Sequence, residues 1–238
     1  VKRGPARRRD FLDATAVQLW PAAYREQQEY ERVLRHRNSL LRHRRGAGNR
    51  EALEVWDERL AATAGPVLER RASTIAALHR RTRETYAALV GESDARVGIE
   101  YRSSWGGELG VEGASEHVRA ALRSSRRQDL ERGTTTVGPH RDEPGFWIDS
   151  REARTLASQG EQRSLAFALR LATHQAIEEQ VGEPPLLLLD DVFSELDRLR
   201  RSALVGLLPT GQTFITSTHR EEVPMAARVW TVRGGGLE

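Results

Sequence analysis

Two adjacent carboxylates follow a continuous apolar run in the sequence, and their types and position suit them to chemistry. Leucines fill positions 186–189, and Asp190 and Asp191 follow at once. A continuous apolar run predicts a strand buried on both faces, and ligands of open α/β sheets bind at the carboxyl ends of such strands. Neighbouring strand side chains point to opposite faces, so one acid can hold Mg²⁺ while the other orients or deprotonates water. The alternative is a strand end followed by a helix cap, because aspartate caps helices well.

Three further segments carry polar groups where a nucleotide could bind. The first opens a long helical pattern, where backbone N–H groups and the helix dipole attract an anion; it consists of Ser158, Gln159, Gly160, Glu161 and Gln162. The second begins three residues after the acid pair and consists of Ser194, Glu195, Leu196 and Asp197. The third, 213–219, is typical of a strand that ends in a histidine, His219. A serine cap would explain the first segment and a structural histidine the third, so the argument depends on the order of the segments.

The lysine content excludes one kind of site from this chain. Lys2 is the single lysine among 37 basic residues, and only Val1 precedes it. A phosphate-binding P-loop needs the pattern G-x-x-x-x-G-K-[ST], because its lysine must reach the terminal phosphates. The chain therefore has no Walker A motif. Since it also starts without methionine, we expect it to be a piece of a longer polypeptide.

Charge is unevenly distributed along the 238 residues. Residues 1–90 hold 19 basic and 11 acidic side chains, a net of +8, while the remainder has a net of −5. Such asymmetry indicates that one half meets a polyanion. The absence of cysteine excludes disulfides and thiolate sites. The longest strongly apolar run, 186–189, is far shorter than the roughly 20 residues that span a bilayer, so we expect a cytoplasmic protein.

The elements that must position these residues fall into two groups. Helical periodicity over 24–45 and 53–89, broken at 46–49, predicts an antiparallel hairpin that forms an arm, with a kink or interruption at Gly65 and Pro66. After residue 91, strands alternate with helices, which indicates an α/β layer with parallel strands. The predicted strands are 97–101, 134–137, 146–148, 186–189, 213–217 and 229–232, and the predicted helices are 117–132, 160–181 and 197–208.

The order of these segments resembles the second half of an ABC-type ATPase head, and the local sequence resembles the RecF family of DNA repair proteins. The matching segments are GPARRRDFLD (4–13), TTTVGPHRD (134–142), ASQGEQRSL (157–165) and LLLDDVFSELD (187–197). The first departs slightly, because Arg3 stands where the family usually has a small residue. The resemblance implies an α/β fold, a partial ABC-ATPase-like head with an inserted α-helical arm. The domains would be 1–20, joining the arm to the missing half, the arm 21–91, and the ATPase lobe 92–238.

The resemblance also implies roles for the polar segments. Residues 158–162 would form the signature motif, which contacts the γ-phosphate of ATP held by the opposite subunit. Asp190 would be the Walker B acid that holds Mg²⁺. Asp191 would be the catalytic base, where most ABC ATPases have glutamate, so we expect slow hydrolysis by the full-length protein and none by this part alone. Residues 194–197 match the D-loop, and His219 falls at the switch-histidine position.

Two observations separate the RecF-like branch from transporter heads. The signature serine lies 32 residues before the first acid (190 − 158), which implies a longer signature helix than transporters carry. The helical arm also favours the RecF-like branch. A further segment marks the family without a role that the sequence reveals, and it consists of Gly138, Pro139, His140, Arg141 and Asp142.

A basic stretch lies in the predicted arm. No acid occurs between Glu31 and Glu51. Arginines on a projecting helix could neutralise DNA phosphates without reading sequence; the candidates are Arg35, Arg37, Arg42, Arg44 and Arg45. The alternative is a solvated helix face in an arginine-rich protein.

Three functions are compatible with the sequence. By resemblance, the protein is a DNA-binding ATPase in which ATP joins two copies into a clamp near single-strand gaps, with RecO and RecR mediators as partners in recombinase loading. The alternatives are a truncated, non-catalytic module that binds DNA or protein, or another SMC-like ABC head.

Overall fold

The computed structural model describes residues 1, 4–43, 50–110, 112–194, 196–223 and 228–237. The chain divides into two compact units, Val1–Glu183 and Pro184–Glu238. The first therefore contains the predicted arm together with the signature segment, and the second contains the acid pair. The expected domain boundaries at 20 and 91 differ from this division and stay a prediction.

Helices dominate the first unit. They are α1 (Pro5–Leu19), α2 (Ala22–His43), α3 (Arg50–Val90), α4 (Ala114–Arg132), α5 (Ala153–Leu156) and α6 (Gln159–Val181). The 41 residues of α3 continue through Pro66, so an interruption there is wrong, and a kink stays a prediction. At 1.5 Å per residue this helix is about 60 Å long. None of the described helices is both long and apolar enough to cross a membrane.

The long helix α3 is the centre of this unit, because it packs against α1, α2, α4 and α6. One apolar core joins α3 to α2 and α4 and includes Leu60, Leu68, Val118 and Leu122. A second core, with Leu19, Leu78, Ala172 and Ala176, joins α3 to α1 and α6. The second helix of the predicted hairpin thus shares its core with the helix that follows the signature segment.

A small antiparallel sheet completes the first unit. Its strands β1 (Val97–Arg102), β2 (Glu143–Ile148) and β3 (Arg151–Glu152) lie in the order β1-β2-β3, with Ile99 opposite Phe146. The strand expected at 134–137 is absent from this described region. Thr135 and Thr136 instead direct their backbone N–H groups to the side chains of Asn38 and Asp129.

The second unit contains the parallel pair that the sequence predicted. Its elements are β4 (Leu187–Asp190), α7 (Arg198–Leu207), β5 (Thr213–Thr216), a 3-10 turn (Arg220–Glu222), β6 (Val232–Arg233) and β7 (Gly236–Leu237). Strands β4 and β5 are parallel, and β6 and β7 form an antiparallel pair.

Burial along β4 differs from the expectation for a strand covered on both faces. Leu187 and Leu189 are each 8% exposed, but Leu188 between them is 71% exposed. The described part of this unit therefore covers only one face of the two-stranded sheet. The mixed α/β class expected from the sequence is confirmed, with a larger helical share than strands and helices in strict alternation would give.

Candidate functional site

The two acids lie at the carboxyl end of β4, beside the end of β5. Asp190 pairs with Thr216 in the strand register. The hydroxyl of Thr216 donates to Asp190 Oδ1 over 2.6 Å and accepts from the backbone N–H of Asp191 over 3.0 Å. One threonine thus fixes both acids. Thr216 is a site residue that was not predicted from the sequence, although a polar residue at the end of a neighbouring strand was the available signal.

Within the described part of the chain, the carboxylate of Asp191 has a hydrogen-bond partner for one of its two oxygens only. Its backbone is left-handed, with φ of 49°, which turns the chain away from the strand direction. Ser194 donates its hydroxyl proton to Asp191 Oδ2 over 2.9 Å. Asp191 Oδ1 is buried and has no hydrogen-bond partner among the described residues. A buried acceptor without a partner is costly, so this oxygen suits a water or another donor brought by a ligand.

A divalent ion at this place would need ligands besides the side chains that the structure describes. Among the described residues, no group of three or more His, Asp or Glu side chains could hold a metal ion. Mg²⁺ is commonly held by one or two carboxylates together with water and phosphate oxygens. The exposed carboxylate of Asp190 fits that kind of site.

The remaining residues after the acid pair have mainly structural contacts. Leu196 is buried, and Asp197 caps α7 by accepting the backbone N–H of Arg200 over 2.9 Å. Glu195 lies outside the described residues. His219 is 63% exposed, and its backbone N–H and C=O both contact the Ser217 hydroxyl. No hydrogen bond within the described part of the chain joins His219 to the acid pair, and its switch role stays a prediction.

The signature segment begins α6 with a capping box. The Ser158 hydroxyl accepts the backbone N–H of Glu161 over 3.2 Å, and the Glu161 carboxylate accepts the backbone N–H of Ser158 over 2.6 Å. These hydrogen bonds, with Arg151 at 3.2 Å, lower the pKa of Glu161. First-turn N–H groups have no intrahelical acceptors, so those of Gln159 and Gly160 can receive an anion.

Buried Gln162 anchors this helix start to the preceding segment. Its side-chain amide donates to the carbonyl of Ala157 over 2.8 Å. Together, the cap and this hydrogen bond fix the first turn of α6 before any ligand arrives. The segment therefore has the geometry of an anion site, and its role as a signature motif stays a prediction.

The 138–142 segment, whose role the sequence left open, contains a fully buried carboxylate. Asp142 accepts the Tyr101 hydroxyl over 2.6 Å and the Trp105 indole N–H over 3.1 Å. Its other oxygen accepts both the backbone N–H and the hydroxyl of Ser104, each over 2.7 Å. Four donors satisfy this acid, so its function is to tie the loop after β1 to the start of β2.

Arg71 on α3 connects the same segment to α1. It makes two parallel hydrogen bonds of 2.7 Å to Asp13, and its Nη1 donates to the Tyr101 hydroxyl oxygen and to the Pro139 carbonyl. Burial lowers the pKa of Arg71, but hydrogen bonds to Asp13 and the charge of Asp13 outweigh burial, and the net pKa lies above its usual value. A bidentate, charge-assisted pair of this kind is strong and geometrically specific.

The remaining members of the segment pack against α2. The Tyr30 hydroxyl lies 2.7 Å from Nδ1 of His140, whose Nε2 lies 3.2 Å from the Thr135 carbonyl oxygen. A carbonyl oxygen can only accept, so Nε2 carries the proton and Tyr30 donates to Nδ1. Burial lowers the pKa of His140 to about 4. Gly138 has φ of 123°, and a Cβ there would lie 2.8 Å from the Tyr30 oxygen, which requires glycine.

Arg141 completes this arrangement, since its Nε donates to the carbonyl oxygen of Thr135 over 3.0 Å. The family-marking segment 138–142 is therefore a structural junction of α1, α2, α3 and the sheet.

The candidate DNA-binding arginines differ sharply in exposure. Arg37 is 0% exposed, with Nε donating to Asp57 over 2.9 Å and Nη1 donating to Asp129 over 2.7 Å. The prediction of a phosphate contact for Arg37 is wrong, because the side chain is enclosed and its charge is already matched. Arg35 is exposed beside Glu31, and Arg42 is exposed at the end of α2. Arg44 and Arg45 lie outside the described residues.

Three curated bacterial proteins, each named "DNA replication and repair protein RecF", resemble the chain over nearly its whole length. The protein of Acidothermus cellulolyticus is 40% identical over 96% of the chain, that of Frankia alni 41% over 94%, and that of Microcystis aeruginosa 38% over 100%. The chain spans 62 to 66% of the length of these relatives. No protein-family model matches it.

Solved structures give the same result. A structure of "the recombination mediator protein RecF-ATP in RecFOR pathway" has a TM-score of 0.88 at 31% identity, covering 100% of this chain and 63% of the other. A RecF-ATPrS structure has a TM-score of 0.86 at 32% identity, with 100% of this chain and 64% of the other covered. The likeness therefore extends over both units of the chain.

Proposed function

The chain belongs to the RecF family of DNA replication and repair proteins, and we propose that the whole protein is a DNA-binding repair ATPase that uses ATP and Mg²⁺. The similarity to a RecF-ATP structure supports the nucleotide. The observation that carries the proposal is the acid pair, because it combines a fixed carboxylate with a buried acceptor oxygen that has no partner among the described residues.

In this proposal the two acids act on the nucleotide bound by their own copy of the protein, and each has a separate role. Asp190 ligates Mg²⁺, which supplies charge neutralisation on the phosphates when it is bound. Asp191 accepts a proton from, or orients, the attacking water through Oδ1, while Ser194 holds Oδ2. Thr216 positions both acids. Aspartate reaches less far than glutamate, so the proposed hydrolysis is slow.

The signature segment acts in trans. The first turn of α6 offers backbone N–H groups and a positive helix end to a γ-phosphate held by a second copy. Its capping box fixes Ser158 and Glu161 beforehand, and Arg151 offsets the charge of Glu161 that would otherwise repel phosphate. A homodimer that forms with ATP follows from a site divided between two copies.

The proposed partners are DNA and the RecO and RecR mediators. The exposed arginines of α2, Arg35 and Arg42, together with Arg44 and Arg45, would contact phosphates. The mediators are suggested by the structural relative, which is described as part of a RecFOR pathway.

ATP-dependent dimerisation of the full-length protein tests the proposal. Ser158→Arg places a large side chain at the helix start, and we expect it to abolish the ATP-induced dimer in analytical ultracentrifugation while leaving the monomer folded. Ser124→Arg, an exposed serine on α4, is the matched control and should dimerise normally. Dimerisation that is insensitive to Ser158→Arg would reject the signature assignment.

A further inference from the structure

The strand β1 has one edge that no described strand covers. The sheet order is β1-β2-β3, so β2 pairs with one side of β1 and the other side is an edge. An unpaired strand edge presents a row of backbone donors and acceptors to any extended chain that approaches it.

The register shows which residues present these groups. Asp149 donates its backbone N–H to the Arg96 carbonyl, so the backbone groups of Arg96 face the strand β2. In an antiparallel pair, the backbone groups of every second residue face the same side. Tyr101 lies opposite Pro144, which has no N–H to exchange. Both observations assign the same alternate residues of β1 to the side that faces β2. The backbone N–H and C=O groups of Val97, Ile99 and Tyr101 therefore point outward.

An apolar groove of about 560 Å³ lies beside these residues. It is lined by Ala72, Ile75, Ala76, His79, Arg80, Ile99, Tyr101 and Leu109. The α3 residues recur at helical spacing and form one stripe along the groove. Ile99 and Tyr101 line the groove, and their backbone groups point away from β2. The side chains of a strand added at this edge would therefore enter the groove.

Two basic side chains line one end of the groove. They are His79 and Arg80, and none of the described lining residues is a carboxylate. Arg80 donates to Glu84 over 3.0 Å, and both of these side chains are more than half exposed. An acidic residue in an occupant would compete with Glu84 for Arg80.

We propose that β1 and this groove bind an extended segment of a partner protein as a fourth strand of the sheet. Main-chain hydrogen bonds to Ile99 and Tyr101 provide the pairing, and alternate side chains entering the groove provide selectivity. The fitting segment has small aliphatic residues at every second position and an acidic residue near His79. This interaction is independent of the ATP-dependent activity proposed above.

The test uses the full-length protein and a fluorescein-labelled nonapeptide of alternating valine and threonine with one terminal glutamate. Fluorescence anisotropy measures affinity, and residue-resolved hydrogen exchange measures protection of the amides of Ile99 and Tyr101. We expect saturable binding with slower exchange at both amides. Ala76→Glu puts a charge into the groove and should weaken binding about tenfold or more. Ala88→Glu makes the same change at an exposed alanine about 18 Å further along α3, outside the groove lining, and as the matched control it should bind normally.

Four results would overturn the proposal. The peptide could fail to bind at all, or it could bind without protecting Ile99 and Tyr101. In the third case these two amides are already protected in the free full-length protein, which would mean that another part of its own chain occupies the edge. In the fourth, Ala76→Glu and Ala88→Glu lose affinity equally, which would place the peptide elsewhere.

Discussion

His140 is a buried imidazole that the fold holds in its neutral form. Its two ring nitrogens contact the Tyr30 hydroxyl and the Thr135 carbonyl, an arrangement in which one nitrogen accepts and the other donates. Protonation would convert the accepting nitrogen into a donor and break the hydrogen bond from Tyr30. Burial therefore lowers the pKa of His140 to about 4.

This shift predicts a loss of stability on mild acidification. Between pH about 6.5 and 4 the unfolded imidazole binds a proton that the folded one does not, so the free energy of unfolding falls as pH falls, by about 1.4 kcal/mol per pH unit within that window. Thermal unfolding of His140→Gln should depend less on pH between about 6.5 and 5. His79→Gln, which changes an exposed histidine, should behave as the parent. An unchanged pH dependence in His140→Gln would show that other groups cause the loss.

At individual positions the sequence identified candidate residues, but it did not predict which side chains surround them. Asp190 and Asp191 could be selected because an apolar run located them at a strand end. Thr216 could not, because its contact with both acids depends on the register of two strands 26 residues apart. Arg37 was misassigned because a basic residue in a basic stretch looks solvent-exposed, and its acidic partners Asp57 and Asp129 come from distant segments.

Among the elements, helices with marked ends were predicted most accurately. The helix α6 starts at the Ser158 capping box and ends at Gly182, whose φ is 84°. The sequence contains both signals. The 134–137 strand was wrong because its threonines bond to helix side chains instead of a neighbouring strand. Pro66 did not interrupt α3, since the surrounding helix is packed against other helices along its length.

Arg37 joins three of these helices, and its removal should destabilise their packing. Arg37→Leu leaves the buried carboxylates of Asp57 and Asp129 without this cation, although Asp57 keeps Arg126 at 2.7 Å. We expect a loss of about 3–5 kcal/mol in the free energy of unfolding, measured by denaturant titration. Arg127→Leu removes a 92% exposed arginine on α4 and should cost less than about 1 kcal/mol. Similar losses in both variants would contradict a special role for the buried pair.

At the scale of the whole molecule, the two predicted parts of the nucleotide site belong to different compact units. The helix start with the signature segment belongs to Val1–Glu183, and the acid pair belongs to Pro184–Glu238. Sequence order alone identified both, because each is a local pattern. The exposed face of β4, with Leu188, could not be foreseen, since an apolar run predicts burial without saying which element provides it.

DNA binding is the property of the whole protein that its charge distribution predicts. Replacing Arg42, Arg44 and Arg45 by glutamine should weaken binding and reduce the slope of log affinity against log salt by about 3, since each phosphate contact contributes roughly 0.9. The matched control carries the same charge change near the other end of α3 and beyond it: Arg80→Gln, Arg83→Gln and Arg96→Gln. Titrations of labelled duplex DNA from low to moderate salt measure both slopes. A slope that falls equally in the two triple variants would mean that net charge, and not the α2 end, determines the affinity, because only a direct phosphate contact releases counterions at that position.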